Sequence, residues 1–363
     1  MTNSEVTNSV EELKQFVGVH AKGQQIPDVG RVLARISTDG QGPGSWTGEW
    51  SHEAALLEGR GEYLQACRHY IMARFPFTGS AARREAAERA ITAFERWRAG
   101  SGRPIERLEV EIEGRRVGCW QSGLSAAERR PLLVLMGGNV SVKEQWAPSL
   151  PVFGRLGLAA VVVDLPGIGE NQVPYDEKSH RFLSGLLDAL ADRADVAHSY
   201  ALALSFSGHL ALRCAMDDTR IRGVVTAGAP VSAFFTDTGW QRRIPRITAD
   251  TMAHLTGVPL AELGHWALPA ERLAALDIPV SYVASARDEI VPQADVRLLR
   301  RQLRQLRVLE HDDVHAAPGH VAESRFWSAR ELLRMRGVHG PQRLALSLAY
   351  TAARLRAGLP AGR

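Results

Sequence analysis

Ala203-Leu204-Ser205-Phe206-Ser207-Gly208-His209 follows an apolar run, Tyr200 to Leu204, and precedes a helix-like run, Leu210 to Met216. A strand, a tight turn with a serine, and a helix make a candidate nucleophile elbow. Its usual form is G-x-S-x-G, because small residues on either side of the serine let the turn close without clashes. In that frame Ser205 is the nucleophile, and Ala203 and Ser207 stand where glycines are usual. Both are small, so the turn can still form. Ser207 is the alternative nucleophile if the frame moves by two residues. The blander alternative is a polar turn after a buried strand, and the motif needs its context to outweigh it.

Working outward, the chain alternates strand-like and helix-like segments. Ile105 to Ile112 alternates apolar and charged residues, Glu113-Gly114 turns it, and Arg116 to Gln121 returns, which predicts an antiparallel edge hairpin. Further strands are expected at Pro131 to Met136, Leu158 to Asp164, Tyr200 to Leu204, Gly223 to Ala227, Val280 to Ala284 and Arg307 to Glu310. The central ones are continuous apolar runs, as in parallel strands covered on both faces. Helices are expected between them at Lys143 to Leu156, Ser179 to Asp192, Leu210 to Asp217, Pro292 to Leu303 and Ala322 to Met335. The sum is an α/β fold with an open, mostly parallel sheet.

Upstream the pattern is helical. Val10 to Phe16 suits a short helix. Trp46 to Phe77 and Ala81 to Trp97 carry apolar residues at three- and four-residue spacing. Gly100 to Pro104 marks a boundary, so a helical domain is expected over 1–103 and the α/β domain over 104–363. Between the expected strands at 223–227 and 280–284, residues 231–276 hold Trp240, Met252, Leu255, Leu263, Trp266 and Leu273. An insertion there, above the carboxyl ends of the strands, suits a helical lid. A plain long crossover is the alternative.

The 363 residues carry a net charge of +4, with arginine spread over helices and the C-terminus instead of gathered in a stripe with aromatics. Nucleic-acid binding is therefore not expected. No apolar run reaches the length of a membrane span. The start, Met1 to Glu5, has no basic and apolar leader pattern, and the residues up to Asn8 are polar and suit a frayed end. Three scattered cysteines, Cys67, Cys119 and Cys214, suggest neither a disulfide framework nor a metal site. A cytoplasmic protein acting on a small molecule without cofactor or metal is expected.

A serine nucleophile needs a base, and the base needs an acid to fix its tautomer. On this fold the chain order is serine, acid, histidine. Asp288, just past the strand at 280–284, is the preferred acid, with Glu289 its competitor. His315, in the loop after the last strand, is the preferred base ahead of His320 and His311. The oxyanion site is expected from the backbone N–H of Phe206, at a helix N-terminus, and from Gly138 or Asn139 in the glycine-rich loop after Met136. Glu170, Trp240 and Trp266 are candidate substrate contacts. For Glu170 and for Glu144, a role in structuring their loops is the favoured alternative.

Three motifs together resemble one group of proteins: Gly137-Gly138-x-x-Ser141-x-Lys143-Glu144, Asp164-x-Pro166-Gly167-x-Gly169-Glu170, and the elbow. The helical stretch with Trp46, Trp50, Gly61, Tyr63, Ala66, His69-Tyr70 and Phe75 to Phe77 is similar too. The group comprises α/β hydrolases related to the fermentation–respiration switch protein, dihydroxypseudooxynicotine hydrolase and the yellowish-green polyketide hydrolases. The resemblance implies the α/β-hydrolase fold with an eight-stranded sheet. It also implies serine-dependent cleavage of ester or β-dicarbonyl carbon–carbon bonds, with Ser205, Asp288 and His315 as the triad, and N-terminal helices that serve as lid and homodimer contact. Family members usually carry Gly-x-Ser-x-Gly-Gly where this chain has Ala-x-Ser-x-Ser-Gly. The chain is also similar to α/β-hydrolase-like enzymes of spirotetronate pathways that expel acetate from an acetylated tetronate. Elimination is thus the second expectation, and a non-catalytic binding or regulatory module the third.

Overall fold

The computed structural model describes residues 8–357. The expectations for the leader region and the frayed end up to Asn8 fall largely on residues 1–7, outside the described residues. Five helices come first: α1 (Val10–Gly23), α2 (Val29–Arg35), α3 (Trp46–Gly59), α4 (Tyr63–Arg74) and α5 (Ala81–Ser101). The helical pattern from Trp46 onward breaks into two at Arg60 to Glu62, where Gly61 takes a positive φ of 75°.

Eight strands follow: β1 (Glu106–Ile112), β2 (Arg115–Ser122), β3 (Pro131–Met136), β4 (Ala159–Val163), β5 (Asp195–Ala203), β6 (Ile221–Ala227), β7 (Val280–Ser285) and β8 (Leu306–His311). They form one sheet in the order β1-β2-β4-β3-β5-β6-β7-β8. The β1–β2 and β2–β4 pairs are antiparallel. The other pairs are parallel. This is the expected edge hairpin joined to a parallel sheet. Every residue of β4 is buried. Since successive side chains point to opposite faces, both faces of the sheet are covered there.

Between the strands run α6 (Leu150–Arg155), α7 (Arg181–Ala189) and α8 (Phe206–Ala215). The helix expected over Lys143 to Leu156 is a correction: it is two 3-10 turns, Lys143–Gln145 and Ala147–Ser149, before a short α6. Pro148 and Pro151 lack the N–H groups a continuous helix would need at those places. The insertion holds α9 (Ala233–Thr236), α10 (Thr238–Gln241), α11 (Arg246–Thr256), a 3-10 stretch (Leu260–Trp266) and α12 (Ala270–Ala275). After β7 come α13 (Gln293–Gln302), α14 (Val321–Met335) and α15 (Pro341–Ala357). The α2 and α15 helices were not expected from the sequence. Leu344, Leu348 and Leu355 of α15 remain exposed, so the helix lacks the strong burial pattern that marks a core helix.

Parallel strands end at one edge of the sheet, and ligands of such sheets bind beyond those ends. The N-terminal helices and the insertion meet there. The Glu12 carboxylate of α1 accepts from the N–H groups of Arg246 and Ile247 at the start of α11, at 2.8 and 3.0 Å. The His254 ring of α11 stacks on Phe77 at 4.3 Å. The two segments form one roof. No described helix is long and apolar enough to cross a membrane.

Beneath the roof lies a buried charge cluster. Lys143, 1% exposed, pairs with Glu144 at 2.9 Å, Asp164 at 3.2 Å and Glu170 at 2.6 Å. Asp164 also accepts from the backbone N–H of Lys143 and of Glu170, which ties the loop after β3 to the loop after β4. Burial pushes the Asp164 carboxyl up, while Lys143 holds it down. Removing Lys143 takes away the ion-pair partner of the buried Asp164 and Glu144, while Glu170 keeps Arg107. Lys143→Met is expected to destabilise the fold by about 3–5 kcal/mol in urea unfolding. A loss below 1 kcal/mol, on the order of an exposed ion pair, would mean that the cluster contributes little.

Candidate active site

The β5 strand lies between β3 and β6, and its end is clamped to both. Leu204 N–H donates to Met136 O at 3.0 Å and Ser205 N–H to Ala227 O at 2.8 Å. Ser205 has φ 56° and ψ −125°, a conformation that L residues rarely adopt, and α8 starts at the next residue. This is the geometry of a nucleophile elbow.

The substitutions in the elbow are accommodated locally. Ser207 is fully buried, and its hydroxyl donates towards Leu204 O at 2.9 Å and Met136 O at 3.2 Å. The crowded position is Gly208, where a Cβ would come 2.1 Å from Thr226 Oγ1 and 2.7 Å from Ala229 Cβ. Glycine is therefore required at 208 and not at 207.

Ser205 Oγ lies 3.1 Å from His315 Nε2. His315 Nδ1 lies 3.0 and 2.9 Å from the two oxygens of Asp288. Asp288 Oδ1 is fixed in turn by the N–H groups of Ile290 and Val291 at 2.9 and 2.7 Å. Glu289, the competing acid, instead accepts from the backbone N–H of His315 at 2.9 Å and holds its loop. His311 and His320 stack on each other at 4.2 Å, and His320 pairs with Glu323 at 3.3 Å. Those two histidines and Glu323 gather on their own side of the loop. At Gly228, with φ 58°, a Cβ would sit 2.6 Å from His315 Cε1, so a glycine there gives the imidazole room.

The oxyanion candidates converge on the same serine. Phe206 is the first residue of α8, where N–H groups lack helical acceptors. A Cβ on Gly138 would stand 3.1 Å from Ser205 Cβ, so the loop backbone runs directly against the nucleophile. Asn139 follows, and its side-chain Nδ2 is buried with no partner among the described residues.

The structure gives two of the candidate substrate contacts partners of their own, and Glu170 takes the loop-structuring place that was its favoured alternative. Both oxygens of Glu170 are committed, each at 2.6 Å from an Arg107 nitrogen, with Lys143 at 2.6 Å as well. Burial would raise its pKa, but these cations hold it down at about 2. Trp266 packs edge-on to Tyr175 at 5.0 Å and beside His209. The cavity of about 10 Å³ that it lines contains no triad residue. Trp240 is half-buried and donates to Ile290 O at 2.8 Å, beside the Asp288 turn. A cleft of about 910 Å³ among α3, α5 and residues 39–45 also contains none of the triad.

Two groups over the site escaped sequence reasoning, His20 of α1 and Arg74 of α4. Burial, Arg74 and then His315 push the His20 imidazole down to about 4, so it is neutral at physiological pH. Neither sits in a motif, and only the roof brings them near the sheet edge.

The fold and the geometry of Ser205, His315 and Asp288 are those of an α/β hydrolase. Comparison with known proteins narrows this. The profile of the family described as "Esterase FrsA-like" matches residues 40–270, and the chain belongs to that family. It is 22% identical over 230 residues to Esterase FrsA of Vibrio cholerae, covering 59% of this chain and 55% of that protein. The chain thus spans just over half the length of that curated relative. Among solved structures it is similar to AbyA5 wildtype, with 49% identity, TM-score 0.92, and coverage of 95% of this chain and 99% of the other. It shares its fold with 2,6-dihydroxy-pseudo-oxynicotine hydrolase, at 18% identity and TM-score 0.58, covering 86% and 87% of the two chains.

Burial pulls the His315 imidazole down, but the charge and hydrogen bond of Asp288 outweigh it and raise the pKa above 6.5. A histidine acting as base must be neutral, so kcat/KM should fall as pH drops through that raised value. Asp288→Asn removes the raising charge. Its acid limb is expected to move to lower pH, with a large drop in rate at every pH. A limb that stays in place would separate Asp288 from the titrating base.

Proposed function

We propose that the protein is a serine-dependent hydrolase that cleaves an ester, acyl or β-dicarbonyl carbon–carbon bond of a small molecule of polyketide or other secondary-metabolite type. The observation that carries this is the Ser205–His315–Asp288 relay, closed at 3.1 and 2.9 Å at a strained strand-to-helix turn. His315 Nε2 takes the proton from Ser205 Oγ as the oxygen attacks the carbonyl. The N–H groups of Phe206 and Gly138 or Asn139 stabilise the oxyanion. His315 returns the proton to the leaving alkoxide or carbanion, and water then cleaves the acyl enzyme by the same path. The substrate class rests on the family and on the resemblance of the glycine-rich loop and of Asp164 to Glu170.

Elimination of acetate from an acetylated tetronate is the second proposal, favoured by one observation. The His20 ring lies among the N-terminal helices against Phe75 at 5.3 Å, and burial first, then Arg74 and His315, lowers its pKa, so a second histidine accompanies the triad base. A base beside an acidic C–H is what β-elimination needs. The two outcomes differ in the released acid. In oxygen-18 water, an acyl-enzyme route puts label into the acid. Direct elimination leaves the acid unlabelled and yields an alkene. We expect label, with Ser205→Ala lowering turnover on the order of 10⁴-fold or more and Ser207→Ala by less than about tenfold. Unlabelled acid with an unsaturated co-product would replace hydrolysis by elimination.

A further inference from the structure

The loop that carries His315 runs from the end of β8 to the start of α14, and three side chains gather where its two ends meet. His311 is the last residue of β8, His320 closes the 3-10 turn Pro318–His320, and Glu323 lies in the first turn of α14. The two imidazoles stack at 4.2 Å with 13° between their planes. Both turn Nδ1 to the same carboxylate oxygen, Glu323 Oε2, at 3.3 Å from His320 and 3.8 Å from His311. The longer distance is not a hydrogen bond. Glu323 is 4% exposed and pairs with no lysine or arginine among the described residues. A buried carboxylate in that position lacks a permanent counter-charge.

The spacing suits one small cation. Zinc holds imidazole nitrogen and carboxylate oxygen at about 2.0–2.2 Å, which puts neighbouring donors of a tetrahedral site about 3.3 Å apart. The three donors lie within 4.8 Å of one another, so small side-chain turns close them on a single ion. His311 also has the outer partner that a metal-bound imidazole needs. Its Nε2 lies 3.1 Å from Ser324 Oγ, which can accept from Nε2–H and leave the Nδ1 lone pair for the ion. The His320 side chain is 26% exposed and gives the ion a way in. The acids within the loop are committed elsewhere, Asp312 to Arg287 at 2.7 Å and Asp313 to the N–H groups of Val314 and Gly319 at 2.8 and 2.7 Å. Two imidazoles and one carboxylate are thus the ligand set, with the fourth place left for water.

We propose that His311, His320 and Glu323 bind a divalent transition-metal ion of the zinc type, which staples together the two ends of the His315 loop. The loop between them is strained. Ala316 and Ala317, directly after His315, both hold positive φ, 64° and 49°. An ion that joins the loop's ends favours this arrangement over a relaxed one. Its three ligands are distinct from Ser205, Asp288 and His315, so the proposal does not rest on which reaction Ser205 performs.

Calorimetric titration of zinc into the chelator-treated full chain tests this, with His320→Ala, Glu323→Gln and His315→Ala alongside. We expect one ion per wild-type chain, bound about a hundredfold or more weakly in His320→Ala and in Glu323→Gln, because each removes a ligand. His315→Ala should keep the wild-type affinity, which separates this site from an ion captured by the triad imidazole. Hydrogen exchange reads the staple: the amides of residues 312–319 should exchange about tenfold or more slowly when zinc is added to wild type, and at an unchanged rate in His320→Ala. Absence of zinc binding by the wild type would overturn the site, even if no variant folds. An affinity that survives both ligand substitutions, or one lost only in His315→Ala, would overturn it as well. Exchange over 312–319 that ignores bound zinc would overturn the staple.

Discussion

The site depends on one strained residue. Ser205 is held at positive φ between two clamps, the Leu204 bond to Met136 and its own N–H bond to Ala227. A conformation of this kind costs on the order of 1–3 kcal/mol, so its surroundings must impose it. They do so by sheet position. The central β5 strand ends between β3 and β6, and Gly208 lets α8 start close against Thr226 and Ala229. The same turn lifts Oγ toward His315 and aims the start of α8 at the point where charge would develop in acyl transfer. Ser207 lends its hydroxyl to the clamp on Met136, which explains why a serine can replace the usual glycine there.

Charge is divided across the site. On the β7–β8 side, Asp288 and Glu289 surround His315, one at its imidazole and one at its backbone. On the β3–β4 side lie Arg74 and the unpartnered Asn139, backed by the Lys143 cluster. Negative charge next to the histidine favours its protonated state, while Asp164 and Glu144 compensate the Arg74 guanidinium on the other side. The roof ties the two sides together through the Glu12 cap on α11 and the His254–Phe77 stack.

Much of this was legible in the sequence because it is local. A buried parallel strand is a continuous apolar run, so β3, β4 and β7 fall where expected to within a residue or two. The order Ser205, Asp288, His315 could be read because each residue follows the end of a predicted strand. The Lys143 to Leu156 segment was misread because its apolar spacing is helical while Pro148 and Pro151 interrupt the helix. For Glu170 a loop-structuring role was the favoured reading, but its partner could not be named, since nothing in its neighbourhood in sequence announces Arg107, which is brought to it by the β1–β2 hairpin. His20 and Arg74 were illegible for the same reason. Their place comes from packing between distant segments, as in the Arg74 bond to Val140 O, and neither sits in a pattern that periodicity or spacing can detect.

The central claim is that Ser205 is an activated nucleophile. Treating the protein with a fluorophosphonate and mapping the adduct by peptide mass spectrometry tests it most directly. The account predicts a single adduct on Ser205, absent in Ser205→Ala and formed far more slowly in His315→Ala. An adduct on Ser207, or none on Ser205 in the folded wild-type protein, would contradict it.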